Sequence, residues 1–306
     1  MAKNDQYWKT REEQWIKQNI TNDRQLSKQL RSHYRDLSKA LSTDINQFYI
    51  NYAGRENLSM AEAVKKVKAF DVKDFEATAA KMVAEKDFSD KANERLRIYN
   101  ATMRINRLQM LKSQLGLELI NSYSRIAGTV LSWLTKRYRA ELKRQAGILG
   151  RHKDDNPKTT LSNVINASFH GATWSQRLWV SQDELKARLD AVVSRAMIQG
   201  LNPKTIATEL LPLVNREVDG RRQVAERLAI TETARVQDQA QMDSFKQYGI
   251  DYCRWVAEPT ACEDCLDIAA ENDGIYPISK VPSIPVHARC RCSKAGYIPE
   301  AINSGV

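Results

Sequence analysis

The chain has 306 residues, 42% apolar and 27% charged, with a formal net charge of +10. That length suggests two or three domains. It contains no run of about 18 apolar residues, which excludes a hydrophobic membrane span, and the opening "MAKNDQYWKTREEQ" lacks the apolar core of a signal peptide. The expected setting is a reducing cytosol, where clustered cysteines bind metal more often than they pair as disulfides.

Charge is unevenly spread. Residues 1–150 carry 28 basic and 17 acidic side chains, residues 151–306 carry 19 and 20, and residues 101–150 alone carry 9 and 2. A basic first half beside a neutral second half points to a polyanion near the first half. A solvated helix face is the plainer alternative.

Proline is absent before Pro157, and five of the eight prolines fall at Pro259 or later. This predicts a helical first half and a loop-rich end, because proline breaks helix interiors. Trp8 and Trp15 share a helix face. Ile45, Phe48, Tyr49 and Tyr52 form an apolar stripe, and Gly54 reads as its stop. Ser59 with Glu62 resembles a capping box, and Asp71 or Asp74 opens another candidate helix. From about Asp90 to Leu149 the pattern is helical, with Ile105, Leu108, Leu111, Leu115 and Leu119 in step; Gly116 and Gly128 are candidate bends. Arg104, Arg107, Lys112, Lys136, Arg137, Arg139, Lys143 and Arg144 lie along this helix as candidate contacts to a polyanion such as DNA.

"GRHKDDNPKTT" reads as a linker, so the expected organisation is a helical region over 1–150, a linker over 151–165 and a C-terminal domain over 166–306. Within that domain Ser181 and Glu184 suggest a second capping box, with the following helix ending at Gly200. Asn202–Pro203 suggests a new helix start, and a third helix is expected from about Arg221 to Tyr248, stopped by Gly249. "DYCRWVAE" alternates like a strand, and turns follow. The fold class is therefore mainly α: an extended helical half followed by a small α+β domain with a zinc-knuckle-like end.

All five cysteines fall between residues 253 and 292. Cys262-x2-Cys265 has knuckle spacing, which lets both sulfurs face one point. His287, Cys290 and Cys292 follow as H-x2-C and H-x4-C. The predicted ligands of a tetrahedral ion are Cys262, Cys265, His287 and one of Cys290 or Cys292; Cys253 is the expected outsider, buried in a strand. A mixed sulfur and imidazole set favours zinc, and four protein ligands make the site structural.

Trp255, then Cys262 and Cys265, then Asp273-Gly274 with Tyr276, then Pro285, His287, Cys290, Arg291 and Cys292 resemble the C-terminal signature of the phage Mu F-like head morphogenesis family, which includes the SPP1-type minor head proteins. "AITETARVQDQAQMDSFKQYGIDYCRW" and "SRAMIQGLNPKTIATEL" resemble its upstream helices, so the likeness covers about Ala167 to Ile298. Where members often carry an arginine before the first cysteine, this chain has "EPTAC". The resemblance implies a minor capsid protein of a tailed bacteriophage, in the virion interior near the portal and in the host cytoplasm during assembly. Its implied roles are head assembly, DNA packaging or DNA ejection. The implied partners are the portal protein, the major capsid or scaffolding protein, and packaged DNA through backbone contacts, with the basic residues from Arg104 to Arg144 as the candidate DNA- or portal-contact set, and with no membrane and no small-molecule substrate.

Two rival readings are weaker. A zinc-dependent nucleic-acid-binding protein without a capsid role needs a recognition helix, and the stretch between Cys265 and His287 holds Gly274, Pro277 and Pro282. An enzyme is not expected: Thr231, Glu232 and Arg235 read as a polar helix face, and the chain has no phosphate loop or nucleophile elbow. Of the other histidines, His33 reads as a surface residue and His170 has no evident partner.

Overall fold

The computed structural model describes residues 2–52, 90–149, 160–199, 201 and 203–299. The fold is mainly helical, with a small antiparallel sheet near the C-terminus. Helix α1 spans Ala2–Tyr52 and α2 spans Asp90–Ile148. A short α3 (Leu161–Ile165) precedes α4 (Trp174–Gln199) and α5 (Pro203–Gln247). Strand β1 (Tyr252–Val256), helix α6 (Glu263–Ala270), a 3-10 turn (Glu271–Gly274), β2 (Ile275–Pro277) and β3 (Ser293–Tyr297) complete it. The helices expected around Ser59 and Asp71, the stop at Gly54 and most of the linker lie outside the described residues; the last residues of that linker form α3.

The chain forms two compact units, and they are not the sequence halves. One is drawn from Met1–His33, Ser124–Trp179 and Arg222–Val306, the other from Tyr34–Tyr123 and Val180–Arg221. The long helices α1, α2 and α5 each contribute to both, which no linear division of the chain anticipates. In the second unit, Leu37, Leu41, Ile45, Leu108, Leu111, Leu115 and Leu119 are buried, joined by Leu185, Leu189 and Val193 of α4 and Leu210 and Val214 of α5. This is an aliphatic interior built from the stripes visible in the sequence.

Three local expectations change. Helix α2 runs unbroken through Gly116 and Gly128. Helix α4 starts at Trp174 rather than near Ser181: the Thr173 backbone N–H donates to Gln176 Oε1 at 2.8 Å and the Gln176 N–H donates to Thr173 Oγ1 at 3.2 Å. That is the reciprocal capping box, and Ser181 is buried inside the helix. Finally, α5 is one helix where two were expected. It contains Pro212, whose local cost of about 3 kcal/mol is offset by apolar positions on both sides, Ile206 and Leu210 before it and Val214 and Val218 after. Pro203 opens α5 and Gly249 closes the turn after it, with φ +69° and the Ile250 N–H donating to Phe245 O at 2.9 Å.

The sheet order is β2-β1-β3, all antiparallel, with Cys253 opposite both Tyr276 and Gly296. Its two faces bury different groups. Trp255 and Tyr276 join Ala234 of α5 and the buried cysteines, whereas Val256 and Ala295 meet Ile16 of α1. The turn before β2 is tight: Asn272, Asp273 and Gly274 all have positive φ, and a Cβ on Gly274 would lie 2.9 Å from the Ala269 carbonyl oxygen. Only glycine fits there.

Candidate metal centre

Cys262 occupies the N-cap position of α6, and Cys265 lies in its first turn. The C-x2-C spacing thus puts both thiols at the start of one short helix. The second pair arrives on the turn before β3, where the Cys290 N–H donates to His287 O at 3.1 Å and Arg289 adopts φ +65°. Thr231 on α5 holds this turn, its hydroxyl accepting from the Arg289 N–H at 3.0 Å. The hydroxyl of Tyr276 fixes α6 by donating to Ile268 O at 2.7 Å.

All five residues predicted to bind metal come together, and none forms a disulfide. Cys265 Sγ lies 3.4 Å from His287 Nε2 and 3.9 Å from Cys290 Sγ. Thiolates bound at about 2.3 Å around a tetrahedral ion would be about 3.8 Å apart, so these spacings fit one. The ligand atoms of Cys262, Cys265 and His287 lie within 4.8 Å of one another, as do those of Cys265, Cys290 and Cys292, and of Glu258, His287 and Cys290. The cluster could therefore hold a metal ion. Cys290 takes part in two of the three sets and Cys292 in one.

The surroundings suit that role. His287 Nδ1 is 3.0 Å from the Ala288 carbonyl oxygen, which only accepts, so the proton sits on Nδ1 and the Nε2 lone pair faces Cys265. Hydrogen bonding from the Cys292 thiol, with backbone N–H groups of Cys292 and Val286, lowers the Cys290 pKa to about 6 despite its burial. Burial and the neighbouring Cys290 charge push Cys265 up to about 12, and donation to Cys290 raises Cys292. A divalent ion favours the deprotonated form of each ligand.

Cys253 belongs to none of the three sets; it is wholly buried in β1, and burial raises its thiol to about 11. Glu258 was not anticipated as a neighbour of the cluster. Its carboxylate accepts from the Arg291 backbone N–H at 2.8 Å, and nothing in the spacing around "EPTAC" signals that.

Arg291, between the last two cysteines, points away from them into a buried polar network. It pairs with Asp23 of α1, Nε donating at 2.6 Å, and donates to Gln237 of α5 at 3.1 Å. Gln237 in turn donates to Asn19 at 3.0 Å. Next to it, Lys294 is 1% exposed and pairs with Asp238 at 2.6 Å, and Asp238 also accepts from the Ile284 N–H at 3.0 Å. Ser293 donates to Glu12 at 2.8 Å, and Arg144 binds both Glu12 and Glu141. Burial pushes Glu12, Asp23 and Asp238 above the usual carboxylate range, against the pull of Arg144, Arg291 and Lys294.

This network corrects the basic-helix expectation. Arg144 is occupied by two carboxylates, and Arg137 is buried, its guanidinium 4.3 Å from the centre of the Trp133 ring. Neither is available at the surface. Lys136, Arg139 and Lys143 are exposed and Lys112 is half-buried, while the side chains of Arg104 and Arg107 lie outside the described residues. The signal was present: Arg137, Glu141, Arg144 and Gln145 continue the i, i+4, i+7 face of Val130 and Leu134. Thr231, Glu232 and Arg235 also turn inward, with Arg235 bound to Glu232 at 2.6 Å and to Ile165 O at 3.2 Å. His33 is half-buried against Thr129, whereas His170 is exposed.

Among the described residues no helix is long and apolar enough to cross a membrane. Comparison with family models, with curated proteins and with solved structures finds no match to the chain.

Proposed function

We propose that this chain is a minor capsid protein of a tailed bacteriophage that acts in head morphogenesis, with a structural zinc ion in its C-terminal knob. The observation that carries the proposal is the convergence of the signature residues. Cys262, Cys265 and His287 meet at one point and Cys290 lies against Cys265 and His287, Tyr276 and Gly274 shape the turn beside them, and Arg291 ties the knob to α1. Zinc is the metal best suited to thiolates plus one imidazole, and a full set of protein ligands leaves no open position for catalysis. In this reading the chain turns over no substrate. It serves in the virion interior near the portal, with portal and major capsid or scaffolding proteins as partners, in packaging or ejection of DNA.

The rival reading, a zinc-dependent nucleic-acid binder outside any capsid, requires the cluster to present a helix to a polyanion. Helix α6 exposes Glu263, Asp264 and Asp267, which repel phosphate. Mass spectrometry and metal analysis of purified particles test the proposal together. The expected result is this chain in mature heads with one zinc per copy. Heads lacking the chain overturn the capsid role, and a chain present without metal overturns the zinc.

A further inference from the structure

We propose that the groove between α1 and α2 is a binding site for the phosphodiester backbone of a nucleic acid. This locates and deepens the nucleic-acid part of the reading above and does not need the capsid part. The groove measures about 620 Å³ and is lined by Gln25, Gln29 and His33 of α1 and by Arg125, Thr129, Ser132, Trp133 and Lys136 of α2, with Gly128 opening its wall. No carboxylate lines it. His33 and Thr129 bond each other across it at 2.9 Å; the rest of the polar lining is side-chain amides, the Ser132 hydroxyl, a guanidinium and an ammonium, a donor-rich set suited to an anionic oxygen.

The charges around the groove favour a polymer over a free ion. From Leu119 to Ile148, the only acid on α2 is Glu141, buried and held by Arg144. The exposed charges of that segment are Arg125, Lys136, Arg139 and Lys143, all positive and near one helix face. From Gln14 to Arg35, the only acid on α1 is Asp23, buried and held by Arg291. The next acid past His33 is Asp36, about one turn beyond the lining. Arg125 to Lys143 spans about 27 Å at 1.5 Å per residue, room for several successive phosphates and far more than one ion needs. Arg291 offsets Asp23, and Arg144 offsets one of the two charges of Glu12 and Glu141, which reduces the negative charge facing a strand.

The test uses the purified full chain and a fluorescently labelled random-sequence duplex, read by anisotropy across a salt series. Gln29→Glu is nearly isosteric and Lys136→Glu is exposed, so both should fold; circular dichroism and the melting temperature check this. Each should weaken binding at least tenfold at low salt, and Lys136→Glu should lower the salt slope by about one. Arg24→Glu, on α1 outside the groove, should change affinity by less than threefold. Equal losses for Arg24→Glu and the groove variants would mean diffuse attraction and would overturn the groove while sparing the wider DNA reading. A wild-type chain that binds no duplex would overturn both. Competition by millimolar inorganic phosphate stronger than that of sodium chloride at equal ionic strength would assign the groove to a free anion and defeat the polymer proposal.

Discussion

The two compact units bury their interiors with opposite chemistry. The unit drawn from Tyr34–Tyr123 and Val180–Arg221 is filled by leucine, isoleucine and valine, with few buried polar groups, among them Ser122, Gln182 and Glu217. The unit that holds the cysteine cluster buries Glu12, Asp23, Glu141, Gln145, Gln237, Asp238, Gln241, Arg291 and Lys294. Helices α1 and α2 run through both, so the difference lies in the side chains and not in the type of backbone. An aliphatic interior tolerates hydrophobic exchange. A network of paired charges does not, because removing one member strands another away from water. The polar unit should thus be the more selective about its geometry and the more fragile to single changes.

The largest expected effect is loss of the proposed metal. A strong chelator, or Cys265→Ala, should expose the segment from β1 to β3 to proteolysis while leaving the aliphatic unit protected. Structural zinc in small folds contributes on the order of 10 kcal/mol at neutral pH. Limited proteolysis with mass mapping gives the answer, and equal cleavage of both units would dissolve the contrast between them.

Next is the tie between knob and helix. Asp23→Ala should cost about 3–5 kcal/mol by leaving Arg291 buried without its carboxylate, whereas replacing both residues by leucine and methionine should cost far less. Urea denaturation of the single and double variants measures the coupling. In the aliphatic unit, Leu189→Ala should cost about 3 kcal/mol and Leu189→Met less than about 1.5 kcal/mol. If the conservative exchange there proves as damaging as loss of an ion pair, the two interiors do not differ as described.

Smaller effects sharpen local points. Gly274→Ala should destabilise by about 2 kcal/mol through its left-handed backbone and the Ala269 carbonyl, and should weaken metal retention. Thr173→Ala should cost about 1 kcal/mol by removing the cap of α4. Thermal melts separate the two.

Where the determinants were local, they were legible. Gly249 announced the end of α5, the alternation around Cys253 announced β1, and the C-x2-C and H-x2-C spacings announced the cluster. Arg137 and Arg144 were misjudged for a different reason: charge density suggested a surface, while their seven-residue spacing already placed them on the buried face. The two helices expected between Pro203 and Tyr248 are one, because apolar positions on either side of Pro212 carry the helix through. The Asp23–Arg291 pair was not legible at all. Its members are 268 residues apart; Arg291 stands out between two cysteines, but nothing around Asp23 distinguishes it from a solvated charge.

That long separation has a consequence during synthesis. Ribosomes add roughly 5–20 residues per second, so Asp23 emerges some tens of seconds before Arg291 exists. Throughout that interval the nascent amino-terminal helix has lost neither its hydration nor its freedom, since the cation that lets its acid go into the interior has not been translated. Completion of this unit therefore waits for the segment that carries Arg291, and a polypeptide truncated anywhere before it should leave Asp23 without its buried partner.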